Sequence, residues 1–211
     1  MSPEFRKPAF DAKQPPPAAP ITDNPAQRLE AMYLQIWATN MRDLPFVNSA
    51  LSVEAVGFRR WQPDSTDHSG AATSAVTREG GATSPCERSG DWVGAVITPW
   101  FINLFVLPGG GNLWSDRRPG QRCHILFPIG PLAFIADHDP TAIVPAYQYC
   151  PLFAPPSQFA SQAAARAAAS AALEAMLMAP TVADPRPGSG GTSPPKPDSA
   201  RRAFLRRFAR P

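Results

Sequence analysis

Residues Trp92–Leu107 read WVGAVITPWFINLFVL. The stretch is rich in Val, Ile, Leu and aromatic side chains and has no charge, the composition of buried strand rather than surface helix. It is interrupted at Thr98-Pro99, and a proline that cannot donate to a sheet ladder marks a bend, a bulge or an edge. Two further apolar segments follow, CHILFPIGPLAFI at Cys123–Ile135 and VPAYQYCPLF at Val144–Phe153. Pro128 and Pro131 interrupt the first of these in the same way. PGGGNLWSDRRPGQR, which separates the first two segments, has the Pro and Gly density of a hairpin loop with a short extension. These three segments are expected to carry the core of a sheet. None of them approaches the roughly 20 apolar residues that a membrane-spanning helix requires.

Working outward, a helix is expected from Asn24. Asn24 suits the cap, Pro25 the first helical position, and Gln27 stands three residues beyond the cap. Leu29, Met32, Tyr33, Ile36 and Trp37 then recur on one helical face. The helix must stop before Pro45, because the residue preceding a proline avoids the helical region. Residues 50–61 alternate like a half-buried strand, with Val53, Ala55 and Gly57 on one side. After the third apolar segment, the alanine-dense run at 157–179 predicts a second helix, capped by Ser157 and buried through Phe159, Ala163, Leu173, Met176 and Leu177. The expected fold is α+β: one domain over 23–180, an antiparallel or mixed sheet packed with an N-terminal and a C-terminal helix. Residues 1–22 are expected to be a disordered arm and 62–90 a disordered insertion, since neither has the apolar content to pack. Residues 181–211 form a flexible linker and a basic tip.

Twenty-seven prolines in 211 residues are too many for an evenly folded globule, in keeping with those additions. The formal charge is only +3, and much of the basicity sits in the last eleven residues, so a basic face for nucleic acid is not expected. Cys86, Cys123 and Cys150 are an odd set without a C-x-x-C pair, which argues against a disulfide framework or a zinc site. With no apolar signal segment near the start, these features make the expected location the cytoplasm.

The residues offer little for catalysis. Cys123 and His124 are adjacent, and neighbours on a strand point to opposite faces, which makes them a poor nucleophile–base pair. Asp137-His138-Asp139 has metal-ligand chemistry but precedes Pro140, where such residues build a polar turn. Gly109-Gly110-Gly111 lacks the Lys-Ser/Thr pair and the helix of a phosphate loop, and reads as a flexible loop. No catalytic residue, metal ligand set or cofactor is assigned. Rings are more informative. Trp92, Trp100, Phe101, Phe105, Phe127, Phe134, Tyr147, Tyr149 and Phe153 exceed what one face of a small sheet comfortably buries. Either two helices cover one face and loops the rest, or an apolar groove receives an extended or helical peptide.

Trp92–Pro108, centred on T-P-W-F-I-N-L, resembles the signature strand of the HybE/HupJ hydrogenase-assembly chaperones. F-P-I-G at Phe127–Gly130, Y-x-x-C-P-L-F-A-P at Tyr147–Pro155 and a Q-F-opened helix follow in the family's order. The insertion at 62–90 is longer than the family pattern suggests. Pro151 and Ala154 stand where the segment usually reads C-S-L-F-S-P. Some relatives carry an attached rubredoxin with paired C-x-x-C motifs; this chain has none, so no iron site is implied. The resemblance implies a non-catalytic chaperone for an uptake NiFe-hydrogenase, which holds the small-subunit precursor and its twin-arginine signal before export. The large subunit and other maturation proteins are further partners, and neither nucleic acid nor stable membrane insertion is implied. Thr98, Pro99, Trp100, Phe101 and Asn103 match the motif and are the expected contacts. Phe134, Leu152 and Phe153 join them as neighbouring apolar residues.

The tip Ala200-Arg201-Arg202-Ala203-Phe204-Leu205-Arg206 resembles a twin-arginine export motif, S/T-R-R-x-F-L-K. With no apolar segment following, it is not expected to act as an export signal. It is read instead as a tethered mimic, with Arg201, Arg202, Phe204 and Leu205 occupying the signal-peptide site when no client is bound. Two other classes of function stand beside this one: a small thiol-dependent enzyme using Cys123 or Cys150, and a basic-tail binder of nucleic acid or membrane.

Overall fold

The computed structural model describes residues 14–63 and 90–178. Among these, the elements are α1 (Ala26–Ile36), a π-helical turn (Trp37–Met41), β1 (Glu54–Trp61), β2 (Asp91–Ile97), β3 (Ile102–Leu107), β4 (Arg122–Phe127), β5 (Gly130–His138), β6 (Ala146–Phe153) and α2 (Gln162–Leu177). The strands form one antiparallel sheet in the order β1-β2-β3-β6-β5-β4. The expected α+β domain is what the chain folds into.

Two of the apolar segments are hairpins rather than single strands. Thr98–Phe101 turns β2 into β3, and Pro128-Ile129 turns β4 into β5, so the prolines mark bends, as expected. The stretch between β3 and β4, expected to be a hairpin loop, is instead a crossover. β3 pairs with β6, and β4 lies at the far edge of the sheet. The sheet also curls. Trp61, at the end of one edge strand, packs its ring 5.4 Å from that of Phe127, at the end of the other.

Curling gives the sheet an inner and an outer face. The inner face is aliphatic, built on Val93, Ala95, Ile97, Leu104 and Val106, and α2 lies against it through Ala165, Ala169, Ala172, Leu173 and Met176. The outer face is aromatic, built on Phe58, Trp92 and Phe105, with Leu29, Met32 and Tyr33 of α1 upon it. The helices therefore cover opposite faces, not one. Alanine is the residue α2 needs on its buried side, because small side chains let the helix approach the sheet closely.

A bulge explains a further difference in β1. Val53 and Ala55 pack on the outer core as a pair, but Gly57 does not share their side. Pairing with β2 shifts register between Val56 and Arg59, and Gly57 takes φ +64°. A Cβ there would lie 2.6 Å from Leu173 on α2, so the glycine serves both the left-handed backbone and the close approach of the helix. On the outer face Gly94 makes room for the Phe58 ring, which a Cβ would meet at 2.5 Å.

Helix ends follow local chemistry. Asn24 Oδ1 accepts from Ala26 N at 3.0 Å, so Asn24 caps in function although Pro25 occupies the formal cap position. α2 begins four residues later than expected, at Ser161 rather than Ser157, with Ser161 Oγ accepting from Ala164 N. Ala163 is consequently exposed, and Phe159 precedes the helix and meets Phe153 edge-on at 4.9 Å.

Of the expected arm 1–22, residues 1–13 lie outside the described residues, and 14–22 are held in place. Ala18 N donates to Asp116, Ile21 N donates to the Pro108 carbonyl, and the Ile21 carbonyl accepts from the Trp92 indole. Arg60 binds this strap to the crossover, donating to the carbonyls of Ile21, Thr22, Gly90 and Gly109 while its guanidinium lies 4.8 Å over the Trp92 ring. The glycine run, expected to be flexible, is an anion cradle already filled by the protein. The fully buried Asp91 carboxylate accepts from the amides of Gly109, Gly111, Leu113 and Trp114. Most of the insertion (64–89), Cys86 and the stretch 179–211 lie outside the described residues.

Candidate functional site

Thr98 sets the geometry of the β2–β3 turn. Its hydroxyl oxygen accepts from the amides of Trp100 and Phe101 and donates to the Phe101 carbonyl, while its own amide donates to the same carbonyl at 2.8 Å. Asn48 braces the turn from outside, its amide donating to the Pro99 carbonyl and its side chain to the carbonyls of Pro156 and Phe159. Thr98 and Pro99 are thus buried supports, and they push the rings of Trp100 and Phe101 out onto the outer face, half-buried.

There the rings meet α1. Trp100 stacks on Trp37, nearly parallel at 5.9 Å, and Phe101 meets Tyr33 edge-on at 5.2 Å. Trp37 opens the π turn, in which Arg42 N reaches back five residues to the Trp37 carbonyl. The turn thus begins at the residue that stacks on Trp100, and π turns are frequent at functional sites. Beneath the corner Asn103 is 4% exposed, and its Oδ1 has no hydrogen-bond partner among the described residues. A buried unpaired carbonyl costs about 1–3 kcal/mol.

On the other side of Tyr33 a cleft of about 440 Å³ opens between the end of α1 and the β5–β6 hairpin. Its walls include Ile36, Thr39 and Asn40 on the helix side and Asp137, Asp139 and Tyr147 on the sheet side. Tyr147 donates to Asp137 Oδ2 at 2.8 Å. Burial, reinforced by the Asp137 charge, pushes Tyr147 far above the ordinary tyrosine range. Burial does the same to Tyr33, so both phenols stay neutral. Hydrogen bonds from Thr141 hold Asp139 below the ordinary aspartate range, which leaves a carboxylate facing the solvent side of the cleft. Asp-His-Asp, expected to be a turn, instead ends β5 with Asp137 and His138 paired to β6, and only Asp139 enters the turn; Asp137 and Asp139 line one wall of a cleft.

The expected contact residues separate into groups. Trp100 and Phe101 stand at the aromatic corner, with Thr98, Pro99 and Asn103 as its frame. Phe134 and Leu152 belong to the inner core, fully and nearly fully buried, out of reach of any partner while the sheet is intact. Phe153 lies half-buried against Phe159. Arg201, Arg202, Phe204 and Leu205 lie outside the described residues. Sequence reasoning placed Tyr33 and Trp37 on a helix stripe and Asp137 in a turn without joining them to the motif. Only the packing of α1 across β3 and β6 brings them together.

Thiol chemistry finds no support in this geometry. Cys123 and Cys150 are buried, burial pushes the Cys123 thiol up, and His124 points out from the opposite face of β4. Among the described residues no group of three or more His, Cys, Asp or Glu side chains is placed to hold a metal ion. No described helix is long and apolar enough to cross a membrane.

Comparison with known proteins adds the family. Residues 24–207 match the family described as "[NiFe]-hydrogenase assembly, chaperone, HybE". The chain is 34% identical over 131 residues to "Probable rubredoxin HupJ" of Rhodobacter capsulatus, a match spanning 62% of this chain and 37% of that protein. It is 35% identical over 140 residues to "Protein HoxT" of Cupriavidus necator, spanning 64% and 65%. "Hydrogenase expression/formation protein HupJ" of Bradyrhizobium diazoefficiens is 35% identical over 63% of this chain and 59% of its own length. The chain thus spans less than two thirds of the length of these curated relatives. The solution structure of HybE from Escherichia coli shares the fold, with a TM-score of 0.52 at 19% identity over 85% of this chain and 94% of that one.

Proposed function

We propose, from the premise that this chain belongs to the HybE family of [NiFe]-hydrogenase assembly chaperones, that it holds a hydrogenase small-subunit precursor by its twin-arginine signal in the cytoplasm before export. Binding, not catalysis, is the activity. The observation that carries this reading is the aromatic corner. Trp37, Trp100 and Phe101 present half-buried rings at a turn that Thr98 and Asn48 make rigid, above a buried Asn103 carbonyl that has no donor among the described residues. A rigid ring platform takes up the apolar part of a signal segment at small entropic cost.

The test is capture of a signal-bearing small-subunit precursor by the full chain and by Trp100→Ala. The expected result is strong capture by the former and at least a tenfold loss for the latter, with precursor lacking its signal ignored by both. Equal capture of precursor with and without the signal would move the client contact to the folded part of the subunit.

A further inference from the structure

The cleft beside Tyr33 has a chemistry of its own. Asp137 and Asp139 put two carboxylates on one wall, and the opposite wall is the C-terminal end of α1 and its π turn, where backbone carbonyls carry partial negative charge. Several cations lie close by, among them Arg42, whose backbone amide closes the π turn on the Trp37 carbonyl. Arg28 is engaged with the Ile143 carbonyl at the outer lip, and His138 sits beside Asp139. Ile36 and the exposed Ile143 give the same cleft an apolar lip. Such a cleft suits a guanidinium followed closely by an apolar side chain.

The sequence holds that ligand. Arg201 and Arg202 are followed by Phe204 and Leu205, and the segment from Arg201 to Arg210 carries five arginines and no acid. From Met178, where the described residues end, the length of residues 179–200 allows a reach of up to roughly 70 Å. A domain of this size has a radius of gyration of about 14 Å, so the tether reaches any point of its surface.

We propose that this cleft is the docking site of the chain's own segment 200–208, with Arg201 and Arg202 on the Asp137 and Asp139 carboxylates and Phe204 on the Ile36–Ile143 lip. Docking is intramolecular, at an effective concentration of about 1 mM. It therefore competes with weak encounters and yields to a tight one. The docking stands independently of the client reading. Its consequence, a corner partly shielded until a client arrives, rests on that reading.

Amide NMR spectra of the full-length protein and of full-length Arg201→Ala/Arg202→Ala test it. The expected differences map to Gln35–Asn40 and Asp137–Ala142, and adding a synthetic peptide of residues 198–208 to the double variant restores them. Full-length Asp137→Asn/Asp139→Asn, which keeps the turn-forming acceptors, should lose them without altering the rest of the sheet. Differences confined to the tail, or falling elsewhere on the domain, would overturn the proposal. A labelled twin-arginine signal peptide separates the two readings. If the free tail peptide binds with a Kd of about 100 μM, the Arg201→Ala/Arg202→Ala chain should bind the label about tenfold more tightly. Cleft shifts with unchanged label affinity keep the docking and refute the shielding of the corner. Label binding without cleft shifts refutes the docking and keeps the client.

Discussion

The two faces of one sheet are built from different materials. Inside the curl, aliphatic side chains and the alanines of α2 close around Phe134 and Leu104, both fully buried. Outside, rings meet edge-on or stacked, Trp100 and Trp37 stay half-exposed, and the Asn103 carbonyl is unpaired among the described residues. Each strand supplies both faces through alternate residues, so a single stretch such as β3 contributes to stability with Leu104 and to the candidate site with Asn103 and Phe105. The difference teaches that stability and recognition are separable here by residue parity rather than by region.

Substitutions on the two faces put that separation to the test. Phe134→Ala should have the largest effect, about 3–5 kcal/mol lost in urea unfolding, because a cavity opens in a core with no route to collapse. Client affinity of the folded fraction should not change; if it falls, the faces are coupled. Trp100→Ala should cost under about 2 kcal/mol of stability, its ring being partly exposed, yet remove tenfold or more of the capture. Asn103→Leu should act on stability alone. It removes a buried carbonyl that is unpaired among the described residues, so the midpoint of unfolding should rise by the equivalent of about 1 kcal/mol while capture holds.

How much of this was legible in the sequence depends on the range of the interaction. Caps, helix faces and the bends at Pro99 and Pro128 are local, and the residues themselves announced them. The T-P-W-F motif was visible, but it resembled part of a strand and proved to be a turn whose threonine hydroxyl does the work. Strand order was not legible. The Gly-rich stretch after β3 has hairpin composition, and only the buried Asp91 shows that its amides are committed to holding a crossover in place. The acidic cleft escaped for the same reason, since Thr39 and Asp137 are far apart in sequence and meet only after α1 has crossed the sheet. Ser157 reads as the cap of α2, but the helix starts at Ser161, in the register that buries alanines against the sheet.

The smallest expected effect lies at the seam between the inner face and α2. Glu54 on β1 accepts from Arg166 and Gln162 of α2. Partial burial works against its ionisation, but these partners prevail and hold it below the ordinary value of 4.5. A carboxylate with a depressed folded-state value contributes stability that is complete above its unfolded value and is lost as pH falls through the folded one. Melting temperature should therefore decline below about pH 4.5, and Glu54→Gln should flatten part of that decline while leaving the neutral-pH value slightly lower. An unchanged acid profile would show the pair to be a solvent-screened contact of no consequence.

The weld around Asp91 has an evolutionary consequence. β1 and β2 pair up to Trp61 and Asp91, where the strap, the crossover and Arg60 converge. The chain between Gln62 and Gly90 therefore leaves and re-enters the fold through a closed gate. Beyond such a gate, each doubling of loop length adds only about 0.6 kcal/mol of closure entropy. Selection that lengthens or shortens that stretch should therefore meet little resistance from the described domain.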